Sequence, residues 1–395
     1  MKSTSIFTSE SVTQGHPDKL CDQISDAIVD HFLQRDPYAR VITECAVAKG
    51  VAFIATRFAS QASIDIPTVA RQVIHEVGYD DGGFNARDCT VLTNLVELPS
   101  TARVHQDERQ MDEAALEALT VQHQVTVFGF ACRQAKALMP LPICLAHSLA
   151  QRLSAVRANG TLPYLTPDGT TQVGVEYCDG KPCRIHSITI VVSQQSAAAP
   201  TASTLRDDLI AQVIQPIFQS ELVQPDDRTH IFINPDGPKI GGGPAFHSGM
   251  TGRKTAADTY GAYARHSGSA LSGKDPLRMD RIAAYAARFA AKNVVVAGLA
   301  EVCEVQLSYS IGLAKPVSMQ VDTFGTGTIS DTAIVQRLQA NFDFRLGGII
   351  RRFALRDWSA RRPAGFYRTL AAYGQVGRLD MELPWENTDL AEALR

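Results

Sequence analysis

The sequence has little net charge, no Cys-x-x-Cys pair and no apolar run long enough to span a bilayer. With 38 Lys and Arg against 41 Asp and Glu, the net charge is -3, which gives no bulk electrostatic reason to expect nucleic acid or a membrane surface as a partner. The missing apolar run argues against a transmembrane helix. Met1-Lys2-Ser3-Thr4-Ser5-Ile6-Phe7 lacks the apolar core of a signal peptide. The eight cysteines are scattered, and the closest two, Cys178 and Cys183, sit in a turn-like Cys-Asp-Gly-Lys-Pro-Cys. Free thiols in a reducing cytoplasm are therefore the expectation. What is present is ample apolar material: 395 residues, 45% of them hydrophobic, are enough for two or three domains with buried cores.

The densest chemistry lies in Gly268-Ser269-Ala270-Leu271-Ser272-Gly273-Lys274-Asp275-Pro276-Leu277-Arg278-Met279-Asp280, ahead of a long helical pattern. Glycine and serine let backbone approach phosphate oxygens, Lys274 and Arg278 supply countercharge, and Asp280 at the helix start can hold a divalent ion. The stretch reads as a polyphosphate-handling centre. Gly268 to Lys274 also fits G-x-x-x-x-G-K, but Asp275 stands where a P-loop needs Ser or Thr, and Ala256 to Arg265 is no apolar strand. Both points argue against a P-loop. The bland alternative is a flexible Gly/Ser turn before a helix.

Gly15-His16-Pro17-Asp18-Lys19 opens a helix expected to run to about Gln34, with Pro17 suiting the first turn and Ile24, Ala27, Ile28, His31 and Phe32 on one apolar face. Asp18, Asp22, Asp26 and Asp30 recur every fourth residue. Asp18, beside His16 at the helix start, is placed for metal or phosphate; the other three read as a solvated acidic face. Strands are expected at 40–47, 51–58, 89–96, 125–132, 172–177, 184–192, 229–233, 304–311 and 317–324. Helices are expected at 65–77, 137–159, 205–218, 281–293, 331–341 and 346–354. Leu98 to Glu113 is polar and aperiodic, either a mobile loop over a site or a linker. Asn234 to Pro244, rich in Gly and Pro, implies backbone shaped around a ligand or another backbone, and Thr251-Gly252-Arg253-Lys254 adds two adjacent cations. Strand pair, helix, strand, repeated about three times, predicts an α+β chain of three similar sheet-plus-helix units. The boundaries expected are 1–100, 119–237 and 238–395, with a mobile loop or linker over 101–118.

Phe7-Thr8-Ser9-Glu10-Ser11-Val12 with Gly15-His16-Pro17-Asp18-Lys19, Asn159-Gly160-Thr161-Leu162-Pro163, Thr251-Gly252-Arg253-Lys254, Ser272-Gly273-Lys274-Asp275-Pro276, Ala283-Ala284-Tyr285-Ala286-Ala287-Arg288 and Pro384-Trp385-Glu386 together resemble the S-adenosylmethionine synthetase family, nearly end to end. The resemblance implies a three-domain fold with pseudo-threefold symmetry, a homodimer or dimer of dimers with active sites shared between subunits, and Mg²⁺ and K⁺ as cofactors. It implies that a small nucleophile, methionine in the family, attacks C5′ of ATP, and that tripolyphosphate leaves and is then hydrolysed. A leaving group of that charge needs cations and metal placed in advance. Carried across by position, His16 matches the histidine near C5′ and the leaving oxygen, and Arg253, Lys254 and Lys274 match the polyphosphate cations. Asp18 and Asp280 match the magnesium carboxylates, Glu44 the potassium ligand, Asp168 the ribose carboxylate and Ile311 a residue against adenine.

Other positions depart from the family. It has Glu at Arg57 and Asp at His247, which hold the methionine ammonium, and Asp at His123. It has Lys at Thr170, beside the transferring phosphate, and Phe at Lys239, stacked on adenine, a contact that a lysine over the ring partly replaces. At Arg278 it has Lys, and a forked guanidinium preserves the grip on a carboxylate. Two like charges ~4 Å apart in an effective dielectric of about 20 repel by roughly 4 kcal/mol, so Arg57 opposes an ammonium in the family pose. The acceptor expected is anionic or lacks a free ammonium, held by Arg57, Arg278, His247 and His123. Ordinary synthesis from ATP and methionine, a nucleotide or tripolyphosphate hydrolase, and a non-catalytic nucleotide-binding partner subunit remain as alternatives.

Overall fold

A computed structural model describes residues 4–103, 106–196 and 199–395. Its strands are β1 (Thr4–Val12), β2 (Arg40–Ala48), β3 (Val51–Ala59), β4 (Thr90–Glu97), β5 (Val125–Cys132), β6 (Leu165–Cys178), β7 (Lys181–Gln194), β8 (His230–Ile233), β9 (Gly249–Met250), β10 (Val302–Tyr309) and β11 (Ser318–Asp322). They form three sheets, ordered β1-β6-β7-β8, β11-β10-β5 and β4-β3-β2-β9. Along β2, Val41, Thr43, Cys45 and Val47 are buried and their neighbours are not, the period-two pattern of a sheet with one covered face.

A long helix covers each sheet: α1 (Pro17–Arg35) packs on β2, α2 (Leu141–Ala158) on β1 and β6, and α3 (Met279–Val296) on β5 and β10. The architecture is the α+β arrangement of three sheet-plus-helix units that the sequence predicts. Helix α3 is buried on every side from Met279 to Val295; its charged Arg288 and Lys292 share the carboxylate of Glu386. It reaches β5 backbone to backbone at Gly129, where a Cβ would stand 1.9 Å from the carbonyl carbon of Ala287. Each sheet also borrows from a distant stretch. β1 pairs with β6, β5 with β10, and β9 with β2, so the strands that complete a sheet come from outside the segment that supplies most of it. Among the described residues no helix is long and apolar enough to cross a membrane.

Several local expectations need correcting. Asp22, Asp26 and Asp30 are not a solvated face: all three are buried and each is matched. Asp22 accepts from Lys19 Nζ at 2.9 Å and from the Gly252 N–H at 2.8 Å. Asp26 holds Arg281 through both oxygens, at 2.6 and 2.7 Å. Asp30 accepts from Ser359 Oγ and from the N–H groups of Tyr367 and Arg368. The like-charge repulsion along α1 is offset residue by residue, by Lys19 on the same helix and by partners far away in sequence. Cys178 and Cys183 are joined as a disulfide at the β6–β7 turn rather than left as free thiols, while the other six cysteines are free.

Helix α2 starts at Leu141, after Pro140, and not at Ala137. The hairpin of β6 and β7 is longer than its apolar core suggested, and the helix expected at 205–218 runs from Ala202 with a π-type turn over Ile210–Ile214. Strand β1 was not foreseen, because its outer half is exposed and carries Thr and Ser instead of an alternating apolar set. The polar stretch after Leu98 contains two short 3₁₀ turns, Ser100–Ala102 and Glu108–Gln110, pinned by ion pairs of Arg103 with Asp36 and of buried Glu108 with Arg356. Residues 104 and 105 of that expected loop, residues 197 and 198, and 1–3 of the N-terminus lie outside the described residues.

Candidate active site

The residues singled out in the sequence fall into two clusters. The first gathers at the start of α1. His16 caps that helix, its Nδ1 accepting from the Asp18 N–H at 3.2 Å, so a neutral ring carries its proton on Nε2. Gly15 allows the start of β6 to lie against this turn, since a Cβ there would sit 2.3 Å from Pro167. That contact brings Asp168 beside His16. Asp168 is buried and its Oδ2 accepts from the Gly243 N–H at 2.9 Å and from His247 Nε2 at 2.7 Å. The His16 and His247 rings lie 5.2 Å apart.

The chain after His247 passes close over the same helix end, because Gly249 leaves no Cβ to strike Pro17. Asp18 Oδ1 accepts from the Met250 N–H at 3.0 Å, Arg253 Nε lies 3.6 Å from Asp18, and Lys254 reaches Glu10 at 3.2 Å. Thr170, half-buried, follows Asp168 along β6. Lys239 is tied to Asp236 at 2.7 Å, and its carbonyl accepts from the Gln194 N–H.

The second cluster is the Gly268–Asp280 stretch and what it touches. It follows no strand, which excludes a P-loop, and it is not flexible in its bonding. Gly273, at φ +79°, sits where a Cβ would be 2.0 Å from the Thr43 carbonyl, and its N–H donates to Asp26. Asp275 accepts from the Val41 and Leu277 N–H groups at 2.6 and 2.7 Å. Lys274 Nζ lies 2.9 Å from Asp280 Oδ2. His123 Nε2 lies 2.8 Å from the same oxygen, close but poorly aligned for a hydrogen bond. Beside them Arg40, Arg57, Arg278, Gln122 and His123 line a cavity of about 290 Å³. Arg278 Nη1 is 3.5 Å from His123 Nδ1, and the buried Nε atoms of Arg278 and Arg40 have no hydrogen-bond partner. Ile311 belongs near this group: its turn pairs through Gly312 and Leu313 with Val121.

Burial lowers the His16 pKa to about 4, so its ring is neutral in ordinary buffers. Burial raises the Asp168 carboxyl, but the hydrogen bond from His247 and the Gly243 N–H outweigh it and hold the group below the usual range. The same bond to Asp168 raises His247. Burial lowers Lys274, partly against the pull of Asp280. Asp280 is pushed up by burial and more than recovered by His123 and Lys274, ending well below an ordinary carboxyl.

Among the described residues no hydrogen bond or ion pair links the first cluster to the second. His247 therefore stands with Asp168 and His16, apart from Arg57, Arg278 and His123. Asp18 and Asp280 fall in different clusters, and among the described residues no three-ligand group includes either of them or Glu44. One carboxylate flanked by cations suits Mg²⁺ that takes most of its ligands from phosphate and water, so Asp18 and Asp280 fit that ion. Glu44 is exposed on β2 and, among the described residues, makes no ion pair. Sequence reasoning missed Arg40 and Gln122 in the cavity. It also missed Asp22, Asp26, Asp275 and Arg281 as the groups that fix the loops. The four-residue aspartate repeat was the available signal, and it was assigned to solvent.

The chain matches S-adenosylmethionine synthetase domains along its length: the N-terminal domain over 4–99, the central domain over 118–238 and the C-terminal domain over 241–387. It is 47% identical to the S-adenosylmethionine synthase of Trichormus variabilis, covering 99% of this chain and 96% of that one. Identity to the enzymes of the same name from Synechococcus elongatus and Synechococcus sp. strain JA-3-3Ab is 46% and 45%, each over 99% of this chain and 97% of the relative. The chain belongs to the S-adenosylmethionine synthetase family, and so to the adenosyltransferases.

Proposed function

We propose that the chain transfers the adenosyl group of ATP to a small acceptor that is gripped by an anionic group and carries no free ammonium. The observation that carries this reading is the cavity bounded by Arg40, Arg57, Arg278 and His123. Two buried guanidinium Nε–H groups point to no protein acceptor there, and buried donors are normally matched. Asp275, the cavity's one carboxylate, spends its oxygens on backbone N–H groups. A carboxylate on the acceptor would be a charge-assisted partner for these guanidinium groups, whereas an ammonium would face three arginines against one carboxylate already engaged by backbone.

On the nucleotide side, Asp168 and Thr170 take the ribose and the transferring phosphate, with Lys239 and Ile311 at the base. Neutral His16 offers its Nε2–H to the leaving oxygen, and Arg253, Lys254 and Lys274 hold the polyphosphate in advance of bond breaking. Mg²⁺ bound at Asp18 and Asp280 would add charge neutralisation of the leaving tripolyphosphate. Glu44 would hold K⁺. The absence of any hydrogen bond or ion pair between the two clusters among the described residues favours a homodimer with shared sites, and so does the outer face of the β4-β3-β2-β9 sheet, where Val51, Phe53, Leu92, Val96 and Met250 are exposed beside Glu44 and Arg57.

Ordinary synthesis of S-adenosylmethionine from methionine is the second reading, favoured by relatives of 45–47% identity that bear that name. Mass spectrometry of products from ATP, Mg²⁺ and K⁺ with a panel of sulfur acceptors separates the two. An adenosyl adduct of an ammonium-free carboxylate, formed at least tenfold faster than the methionine adduct, is expected. Methionine as the preferred acceptor overturns the anionic-acceptor reading, and phosphate release without any adduct overturns transfer.

A further inference from the structure

We infer that His247, oriented by Asp168, is a general base of this site and that the acceptor's nucleophile is a thiol rather than a thioether. The inference rests on the adenosyl-transfer reading and deepens it. Asp168 is an acceptor only, so the 2.7 Å contact puts a proton on His247 Nε2 and leaves Nδ1 as the lone-pair nitrogen of the neutral ring. Asp168 is itself held by the Gly243 N–H at 2.9 Å. The dyad is thus fixed on its carboxylate side. Among the described residues Nδ1 makes no hydrogen bond, and the His247 side chain is 45% exposed, against 8% for Asp168. Its free nitrogen is therefore within reach of a bound molecule.

The neighbouring ring cannot take that part. His16 Nδ1 already accepts from the Asp18 N–H, so its other nitrogen is a donor. Two imidazoles 5.2 Å apart are consequently set in opposite senses, one giving a hydrogen bond and one able to take a proton. A thioether attacking C5′ has no proton to lose and ends as a sulfonium, which leaves a base idle. With a thiol the balance closes. The S–H bond breaks and its proton goes to His247 Nδ1; the S–C5′ bond forms as C5′–O5′ breaks, the electron pair leaving on tripolyphosphate. The product is a neutral thioether, and the imidazolium, held by Asp168, later returns its proton to solvent. The charged and titratable groups facing His247 are Asp168 from β6, Asp18 from α1, His16 at the cap of that helix, and Arg253.

The test uses the full chain with ATP, Mg²⁺ and K⁺ and a matched pair, 4-mercaptobutanoate and 4-(methylthio)butanoate. The thiol is expected to be used at least tenfold better in kcat/KM and to give, by mass spectrometry, an adduct whose sulfur is an uncharged thioether and not a fixed sulfonium. The rate should rise with pH through a value above the ordinary imidazole range, because the base is the deprotonated ring and Asp168 raises it. His247→Asn should lower the thiol rate by roughly 100-fold and move the rising limb up to the thiol's own, higher pKa; free imidazole should restore part of the rate to His247→Gly. Equal or better use of the methylthio compound overturns the inference, with no variant needed. So does an unchanged pH profile in a folded His247→Asn protein, or preference for the corresponding amine. Absence of an adenosyl product from every acceptor overturns the transfer reading, and this inference with it.

Discussion

Arg281→Ala is expected to lower stability by about 3–5 kcal/mol, the usual effect of removing one partner of a buried ion pair. Arg281 is wholly buried, donates to both oxygens of Asp26 and to the Lys274 carbonyl at 2.9 Å, and lies 4.4 Å above the Tyr367 ring. Its loss strands the Asp26 carboxylate in the core. Burial already pushes Asp26 up to about 6 with the arginine beside it. A carboxyl raised in the folded state favours folding at low pH and loses that contribution as pH rises through its folded pKa. Without Arg281 the carboxyl rises further, so the deficit should be largest near pH 7.5 and shrink near pH 5, where the variant can protonate Asp26. Denaturant midpoints at the two pH values measure this; a deficit independent of pH would mean that lost packing, not a stranded charge, is the cause. The pair also fixes the phosphate-side loop, through the Lys274 carbonyl and the Gly273 N–H, so any folded variant should lose activity beyond its loss of stability.

Arg57→Glu is expected to shift acceptor preference by about a thousandfold toward molecules that carry an α-ammonium. The figure counts only the like-charge repulsion removed, roughly 4 kcal/mol between unit charges ~4 Å apart at an effective dielectric of about 20, with 1.4 kcal/mol per tenfold, and the attraction that Glu adds makes it a lower bound. Arg57 is exposed on β3, opposite Ile42 in β2, so the exchange should leave folding intact. The measurement is the ratio of kcat/KM for acceptors that differ only in the ammonium, such as methionine and 4-(methylthio)butanoate. A ratio that moves by less than about threefold would remove the cationic cavity from acceptor recognition.

The sheets and long helices were legible because one-sided burial writes a period of two or 3.6 into the sequence. β2, β3 and α3 sit close to where their patterns put them. β1 was not legible, since an edge strand with an exposed outer half needs no apolar alternation. The aspartates of α1 misled for a different reason. A carboxylate every fourth residue looks the same whether it meets water or an arginine more than 250 residues later, and only the fold brings Arg281 to Asp26. His247 was legible as a departure from the family but not in its setting: the partnership with Asp168 depends on the glycine run that folds over β6.

One chain carries each cluster once, with no hydrogen bond or ion pair between them among the described residues, which bears on how damaged copies combine. If a whole site takes one cluster from each of two chains, an Arg253 variant and an Arg278 variant, each inactive alone, would repair one another when mixed. In a mixed pair one site would inherit both lesions and the other neither. Random pairing would then return about a quarter of the native rate, the value expected for a symmetric dimer, and dilution below the pairing constant would abolish it. Two silent preparations that turn over ATP only when combined would identify the site as joint property of two chains.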